Sequence, residues 1–467
     1  MIEAGLDDLR QELEISRRFP SEVEASSQLA TTSPPSTTPR GGTLPVDLTA
    51  IPFVTIDPPA SMDLDQAVHI EKSGSGFQVD YAIADPTTFV APGSAIDAEA
   101  HRRGLTMYAP DGRTPLYPTA IGEAAASLLP DVDRPSVVWR LRLDAEARLI
   151  ETDVVRAIVR SREKLAYSQA QRRIIEGVGS PTLMFLRDVG VARQALEVER
   201  GGVSLKLPSQ EVELIDDRYH LVYDETLAVE EWNAQISLMT GMAAAQLMLG
   251  ARVGLLRTLP TPDDQILAQI RLAAITLGVE WPDHVGYADR VRQLSPDDPR
   301  HLALLNHAVR ALRGADYLAF DGETPVEGRH WAIAAHYAHV TAPLRRLCDR
   351  YTNEVSLAIA AGQRPPEWAL ERLVGLPETM RAARRKESQL DRASINFVEA
   401  VLLAPRVGDE FEATVTSRRG DDRSTIQIAD PAIAAMIAAG LEPGDTVRVR
   451  LTEAVPATRR IRFDVVT

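Results

Sequence analysis

Cysteine is almost missing from this chain: Cys348 is the only one in 467 residues. A single thiol excludes an intramolecular disulfide and a cysteine-rich zinc site, and it suits a reducing compartment. Lysine is nearly as scarce. Lys72, Lys164, Lys206 and Lys386 are the only lysines among 51 basic residues, and the other 47 are arginines. Arginine is the side chain best suited to bidentate phosphate contacts, although a GC-rich coding genome produces the same bias. No run approaches the roughly 18 apolar residues of a membrane helix. The N-terminus MIEAGLDDLRQELEISRR lacks the charged start and apolar stretch of an export signal. No membrane association is expected, and the protein is expected to stay in the cytoplasm. Internal repeats are also absent.

What is present is ordinary in bulk. Hydrophobic residues make up 45% and charged residues 25%, which excludes a disordered class. The length calls for a large unit with one or two accessory pieces. The net charge of −15 argues against a nucleic-acid partner unless positive potential is focused in a groove.

Residues 1–25 carry a short amphipathic pattern (Leu6, Leu9, Leu13, Ile15) that predicts one helix. SSQLATTSPPSTTPRGG at 26–42 has almost nothing to bury and reads as a flexible linker or tail. Between about 50 and 160 the apolar period is two, predicting strands at 77–84, 137–143 and 149–159. Helical periodicity then takes over, most clearly at 225–249, 262–278 and 342–362. Strands first and helices afterwards predict an α+β class. The last sixty or so residues hold short β segments around an Ala-rich stretch, DPAIAAMIAAG, read as a helix. Such an order suits a small oligonucleotide-binding barrel; a purely structural cap is the alternative.

The segment FVTIDPPASMDLDQAVHI at 53–70 gathers three carboxylates, Asp57, Asp63 and Asp65, around one loop. Asp63 and Asp65 share a face if that piece is extended. Like charges held this closely call for a cation, and hard oxygen ligands favour Mg²⁺ or Mn²⁺. Phosphoryl chemistry is a natural use of such a site. Solvated turn residues are the alternative, because Asp and Pro are common loop formers.

TIDPPASMDLDQA resembles the signature T-I-D-P-x-x-x-x-D-[LM]-D-D-A of the ribonuclease II/ribonuclease R (RNB-domain) exoribonuclease family. AIADPTTFVAPGSAIDAEAHRRGLTMYAPDGRTPLYP, SREKLAY, GGVSLKLP and HYAHVTAPLRRLCD are similar to further family motifs and follow in the family's order, over roughly residues 50–400. The resemblance implies an RNB-type mixed β-barrel-like core wrapped by helices, with a C-terminal S1-like (OB-fold) barrel. Residues 1–43 are then a helix and linker, 44–400 the catalytic domain and 401–467 the RNA-binding barrel. It also implies a Mg²⁺-dependent (or Mn²⁺-dependent) 3′→5′ exoribonuclease that releases nucleoside 5′-monophosphates from single-stranded RNA, expected to be a monomer.

Residue by residue, Asp57, Asp63 and Asp65 fall on three of the family's four metal-site aspartates, and Arg345 on its catalytic arginine. Tyr108 falls on the aromatic that stacks on the 3′-terminal base, and Tyr167 on another channel tyrosine. Glu387 falls on a glutamate near the RNA path. Arg346, Asp349 and His339 are expected to be structural.

The chain departs from the pattern at several points. Gln66 replaces the fourth aspartate and is expected to hold metal only as a neutral carbonyl donor. Leu205 stands where a base-clamping Phe is common. Gln235 stands where some members read the ribose 2′-hydroxyl with a glutamate. Residues 1–49 are too few for the two cold-shock barrels usual in the family. In the C-terminal barrel Phe411 and Phe463 are the only aromatics, so RNA grip there is expected from Arg418, Arg419, Arg423 and Arg448. A catalytically impaired RNA-binding pseudo-nuclease is the alternative function.

Overall fold

The structure, a computed structural model, describes residues 2–32, 44–205, 207–216, 218–224, 226–418 and 422–466. At its centre the strand Leu149–Ala166 is long enough to serve three partners. It runs antiparallel to Asp133–Leu143, then parallel to Val46–Asp47 and to Phe53–Asp57. Phe53–Asp57 pairs with Gln66–Ser73, that strand with Gly76–Ala84, and that one with Asp133–Leu143, so the sheet closes on itself. The closed, mixed sheet removes exposed edges and places the C-terminal end of Phe53–Asp57 at one mouth of the barrel.

Helices wrap this core. Trp139 is fully buried, and its indole N–H donates to Asn353 Oδ1 (3.2 Å) on the helix Leu347–Ala360. Arg350 on the same helix is also fully buried. Its guanidinium donates to Asp97 (2.5 Å) and to the Val90 carbonyl (2.8 Å), a pairing that a charge so far from water requires. The strands and helices expected from periodicity are present, with moved ends. The segment expected to be helical from 342 begins its helix only at Leu347. Pro343 has no N–H to give, and the Asp349 carboxylate accepts the Ala342 N–H (2.7 Å) and two Arg346 donors (2.9 and 2.7 Å), fixing Ala342–Arg346 as a loop.

Two local expectations fail. The Ala-rich stretch near the C-terminus contains a strand, Ile433–Ile437, not a helix. Its residues alternate buried and exposed, and pairing with Ser424–Ile428 overrides alanine's helical preference. It belongs to a five-stranded antiparallel sheet with Glu410–Arg418, Thr446–Val455 and Arg460–Val465. Phe411 and Phe463 meet edge to face inside it (5.8 Å), so neither offers a base platform. At the other end of the chain a second helix, Ser21–Thr32, occupies the first part of the expected linker. Ser27 there is fully buried and donates to the Glu24 carbonyl (2.8 Å). The remainder of that linker, residues 33–42, and Arg419 lie outside the described residues.

Candidate active site

Asp57 ends its strand opposite Ala166, and the chain then turns through Pro58 and Pro59. The loop is pinned from beneath. Leu64 is fully buried, its N–H donates to Ser127 Oγ (2.9 Å), and that hydroxyl donates to the Met62 carbonyl (2.6 Å). Lys164 donates to the carbonyls of Pro59 (2.8 Å) and Ser61 (2.5 Å). Sequence reasoning missed these supports, because Ser127 and Lys164 are distant in the chain and unremarkable in type.

Burial pushes the Asp57 carboxyl up to about 7, with the charges of Asp65 and Asp63 adding to it against Arg345 and Lys164. Its Oδ2 is buried and accepts no hydrogen bond. Asp65 is buried too. Its Oδ1 accepts the Leu344 N–H and its Oδ2 accepts from Arg345 Nε, both at 2.7 Å, yet burial still raises its carboxyl to about 6. Asp63 pairs closely with Arg113, whose guanidinium also meets Glu123 (2.9 Å).

Gln66 sits differently from expectation. Its amide donates to the Thr341 carbonyl (2.6 Å), and its carbonyl oxygen accepts from Tyr81 (2.6 Å). Ser237 adds a weaker contact to the same oxygen (3.4 Å). The oxygen expected to face a metal is thus engaged by a buried phenol.

Oxygen donors with one orphaned, buried carboxylate oxygen fit a hard divalent cation. The fit is incomplete in one respect. Among the described residues, the only His, Cys, Asp or Glu group with ligand atoms all within 4.8 Å is His339, Cys348 and Asp349. That group is unsuited to a cation: Asp349 is saturated by Arg346, and burial pushes the Cys348 thiol up. His339 is held neutral by burial and bonded to Tyr317 (2.8 Å).

The Arg345 side chain remains 43% exposed and lines a cleft of about 680 Å³. Tyr108, 48% exposed, and Glu387 also line it. Seven arginines face this space, four of them (Arg381, Arg384, Arg385, Arg392) on the helix Leu376–Leu403, against only Asp316 and Glu387. Five of them are already paired, Arg345 with Asp65, Arg346 with Asp349, Arg381 with Asp316 and Glu378, Arg384 with Glu387 and Arg385 with Glu378, so the cleft is rich in guanidinium groups whose charge nearby carboxylates largely balance.

Other expected contacts fall elsewhere. Tyr167 opens the helix Tyr167–Glu176 near Asp57; burial and that charge push its phenol up to about 12. Leu205 packs with Val203 and Ile270 in a separate apolar cluster and does not line the cleft. Gln235 is buried and donates to Glu197 (2.6 Å), so it cannot read a ribose in this arrangement. In the barrel, Arg418 pairs with Glu442 (2.5 Å), Arg448 stands 3.9 Å from Glu410, and Arg423 is exposed.

A family model described as the RNB domain matches residues 46–358. The chain belongs to the RNB-domain family. Residues 409–466 match a second description, the RNase II-type exonuclease C-terminal S1 domain. Among curated proteins the chain is similar to the exosome complex exonuclease RRP44 homolog A of Arabidopsis thaliana, 29% identical over 397 residues. That match takes in 80% of this chain and 42% of the relative; the chain spans less than half the length of the first curated relatives it matches. Its fold is that of Mycoplasma genitalium RNase R in complex with ribose-methylated single-stranded RNA (TM-score 0.88, 18% identity, 100% of this chain and 78% of the other). It is also that of yeast Ssd1, a pseudonuclease (TM-score 0.74, 15% identity, 97% and 58%). Among the described residues no helix is long and apolar enough to cross a membrane.

Proposed function

We propose that this RNB-family chain is a divalent-metal-dependent 3′→5′ exoribonuclease that hydrolyses single-stranded RNA to nucleoside 5′-monophosphates. One observation carries the reading: a buried carboxylate oxygen on Asp57 without a hydrogen-bond partner, under the charges of Asp65 and Arg345, of which Arg345 lines the arginine-rich cleft. Residues 44–400 form the catalytic unit in this reading and 401–467 the RNA-binding barrel, in keeping with the two family matches.

Asp57, Asp63 and Asp65 would hold Mg²⁺ or Mn²⁺, whose chemistry there is Lewis-acid activation of water and neutralisation of phosphate charge. Arg345 is aimed by two contacts from Asp65, one to its Nε and one to the neighbouring Leu344 N–H. Its free edge meets the non-bridging phosphate oxygens and stabilises charge that grows there during attack. Tyr108 stacks on the terminal base without sequence preference. The arginines of Leu376–Leu403 draw in the backbone behind it, and Glu387 tethers Arg384 (2.6 Å).

A specific observation favours a second reading, a non-catalytic RNA-binding protein. Guanidinium groups already neutralise Asp63 and Asp65, and Tyr81 occupies the Gln66 carbonyl. The two readings part in one assay: 5′-labelled single-stranded RNA and DNA of one sequence, incubated with Mg²⁺, Mn²⁺ or chelator. Metal-dependent shortening of the RNA from its 3′ end supports the exonuclease. Intact RNA under both metals, with a stable complex, supports the binding protein.

A further inference from the structure

Among the described residues the hairpin Met107–Ala109/Gly112–Thr114 joins no other strand, and a bare two-stranded ribbon is marginally stable. Yet it carries two groups of the site. Tyr108 and Arg113 are direct cross-strand partners and so share a face. Tyr108 lines the cleft, and Arg113 bridges Asp63 and Glu123.

The base of the hairpin is held by the Thr106 N–H on the Arg345 carbonyl (2.9 Å), and its turn is held by the N-terminal residues. Asp111, at its turn, is clasped by two guanidinium groups. Arg10 Nη1 donates to it at 2.8 Å and Arg10 Nη2 pairs more closely, while Arg17 Nη2 meets Oδ2 at 2.6 Å and donates to the Asp111 carbonyl at 3.2 Å. The Arg10 and Asp111 side chains are only 3% and 5% exposed. Beside this clasp, Ile15 packs with Met107 of the hairpin and Leu390 of the long helix. Arg103, just before the hairpin, donates to the Arg18 carbonyl (3.0 Å) and lies over the Phe19 ring (3.7 Å). The N-terminal helix Ile2–Glu12 is itself anchored: Ile2, Leu6 and Leu9 share a core with Phe397 and the C-terminal barrel. Gly5 lies so close to the Phe397 ring that a Cβ would come within 2.1 Å of it.

We propose that residues 2–18 are a positioning device for the active site, which through Arg10 and Arg17 on Asp111 sets the hairpin that presents Tyr108 and Arg113 to the RNA 3′ end. This consequence for RNA rests on the function proposed above; the bracing of the hairpin does not. Arg10, Arg17 and Asp111 touch no reacting atom and act only through Tyr108 and Arg113.

The test uses the full chain with Arg17→Ala and Arg17→Lys, and with Arg10→Met as a stronger break. Hydrogen exchange is read without RNA, and KM and kcat with single-stranded RNA. Loss of the clasp should speed exchange at 107–114 by about tenfold while the strand 133–143 keeps its protection. KM should rise about tenfold, as befits a misplaced stacking platform, with a smaller change in kcat. Arg17→Lys should restore both. Unchanged exchange at 107–114, or a uniform rise across the chain, overturns the proposal. So does a loosened hairpin with KM and kcat at wild-type values. Failure of the wild-type protein to cleave RNA at all would show separately, before any variant, and would count against the proposed function alone.

Discussion

Replacing Asp57 by Asn should make the metal-free protein more stable, and increasingly so as pH rises. The carboxyl is shifted from its ordinary 3.8 to about 7, first by burial and then by Asp65, with Arg345 only partly opposing. The sign follows from proton binding. Below about pH 4 folded and unfolded chains both hold this proton. Between about pH 4 and 7 only the folded chain keeps it, so stability falls as pH rises, and above 7 the loss is complete. At about 1.4 kcal/mol per decade of proton affinity, the penalty is about 2 kcal/mol near pH 5 and about 4 kcal/mol near pH 8. Asn is nearly isosteric and cannot ionise. Whatever its intrinsic effect, its stability relative to wild type should therefore improve by about 3 kcal/mol between those pH values. Urea unfolding in chelator near both pH values measures the difference. Saturating Mg²⁺ or Mn²⁺ should reverse the order, because the cation stabilises only the carboxylate form. A variant whose stability relative to wild type is the same at both pH values would refute the reasoning.

Further outcomes follow from the same geometry. Tyr108→Ala should weaken single-stranded RNA binding by about 1–3 kcal/mol whatever the terminal base, measured by titrating labelled RNAs that differ only at the 3′ end. Arg345→Lys keeps the charge but loses the fork that touches Asp65 and phosphate together. Single-turnover kinetics should show kcat down by about 10²-fold or more with a smaller change in RNA affinity. Asp349→Ala leaves Arg346, 26% exposed at the cleft, without its buried partner and frees the Ala342 N–H, so urea unfolding should register a loss of about 1–3 kcal/mol.

Much of this was legible in the sequence because it is local. Alternation gave Gly76–Ala84 and Asp133–Leu143, helical period gave Ala228–Ala251, and the motif drew attention to Asp57, Asp63, Asp65 and Arg345. What escaped depends on partners far along the chain. Arg113 and Asp111 lie inside a family-like stretch, yet nothing in it assigns them a role, which comes only from Asp63 on one side and Arg10 on the other. Gln66 could be read as a weakened ligand, but nothing near it announces that Tyr81 will take its oxygen. Leu205 matches a base-clamping position of the family only by its place in the motif, whereas its side chain follows the apolar cluster beneath it. Ile433–Ile437 shows the same rule for backbone: alanine content favoured a helix, and pairing with a neighbouring strand decided.

The central claim is that Asp57, Asp65 and Arg345 make this cleft a hydrolytic site and not only a binding groove. The most direct measurement follows wild-type protein and Asp65→Asn side by side, recording RNA binding and the chromatographic yield of nucleoside 5′-monophosphates, with Mn²⁺ and with chelator. The account predicts that both proteins bind RNA and that only the wild type, only with metal, releases monophosphates. Wild-type protein that binds RNA and releases none with metal present would contradict it.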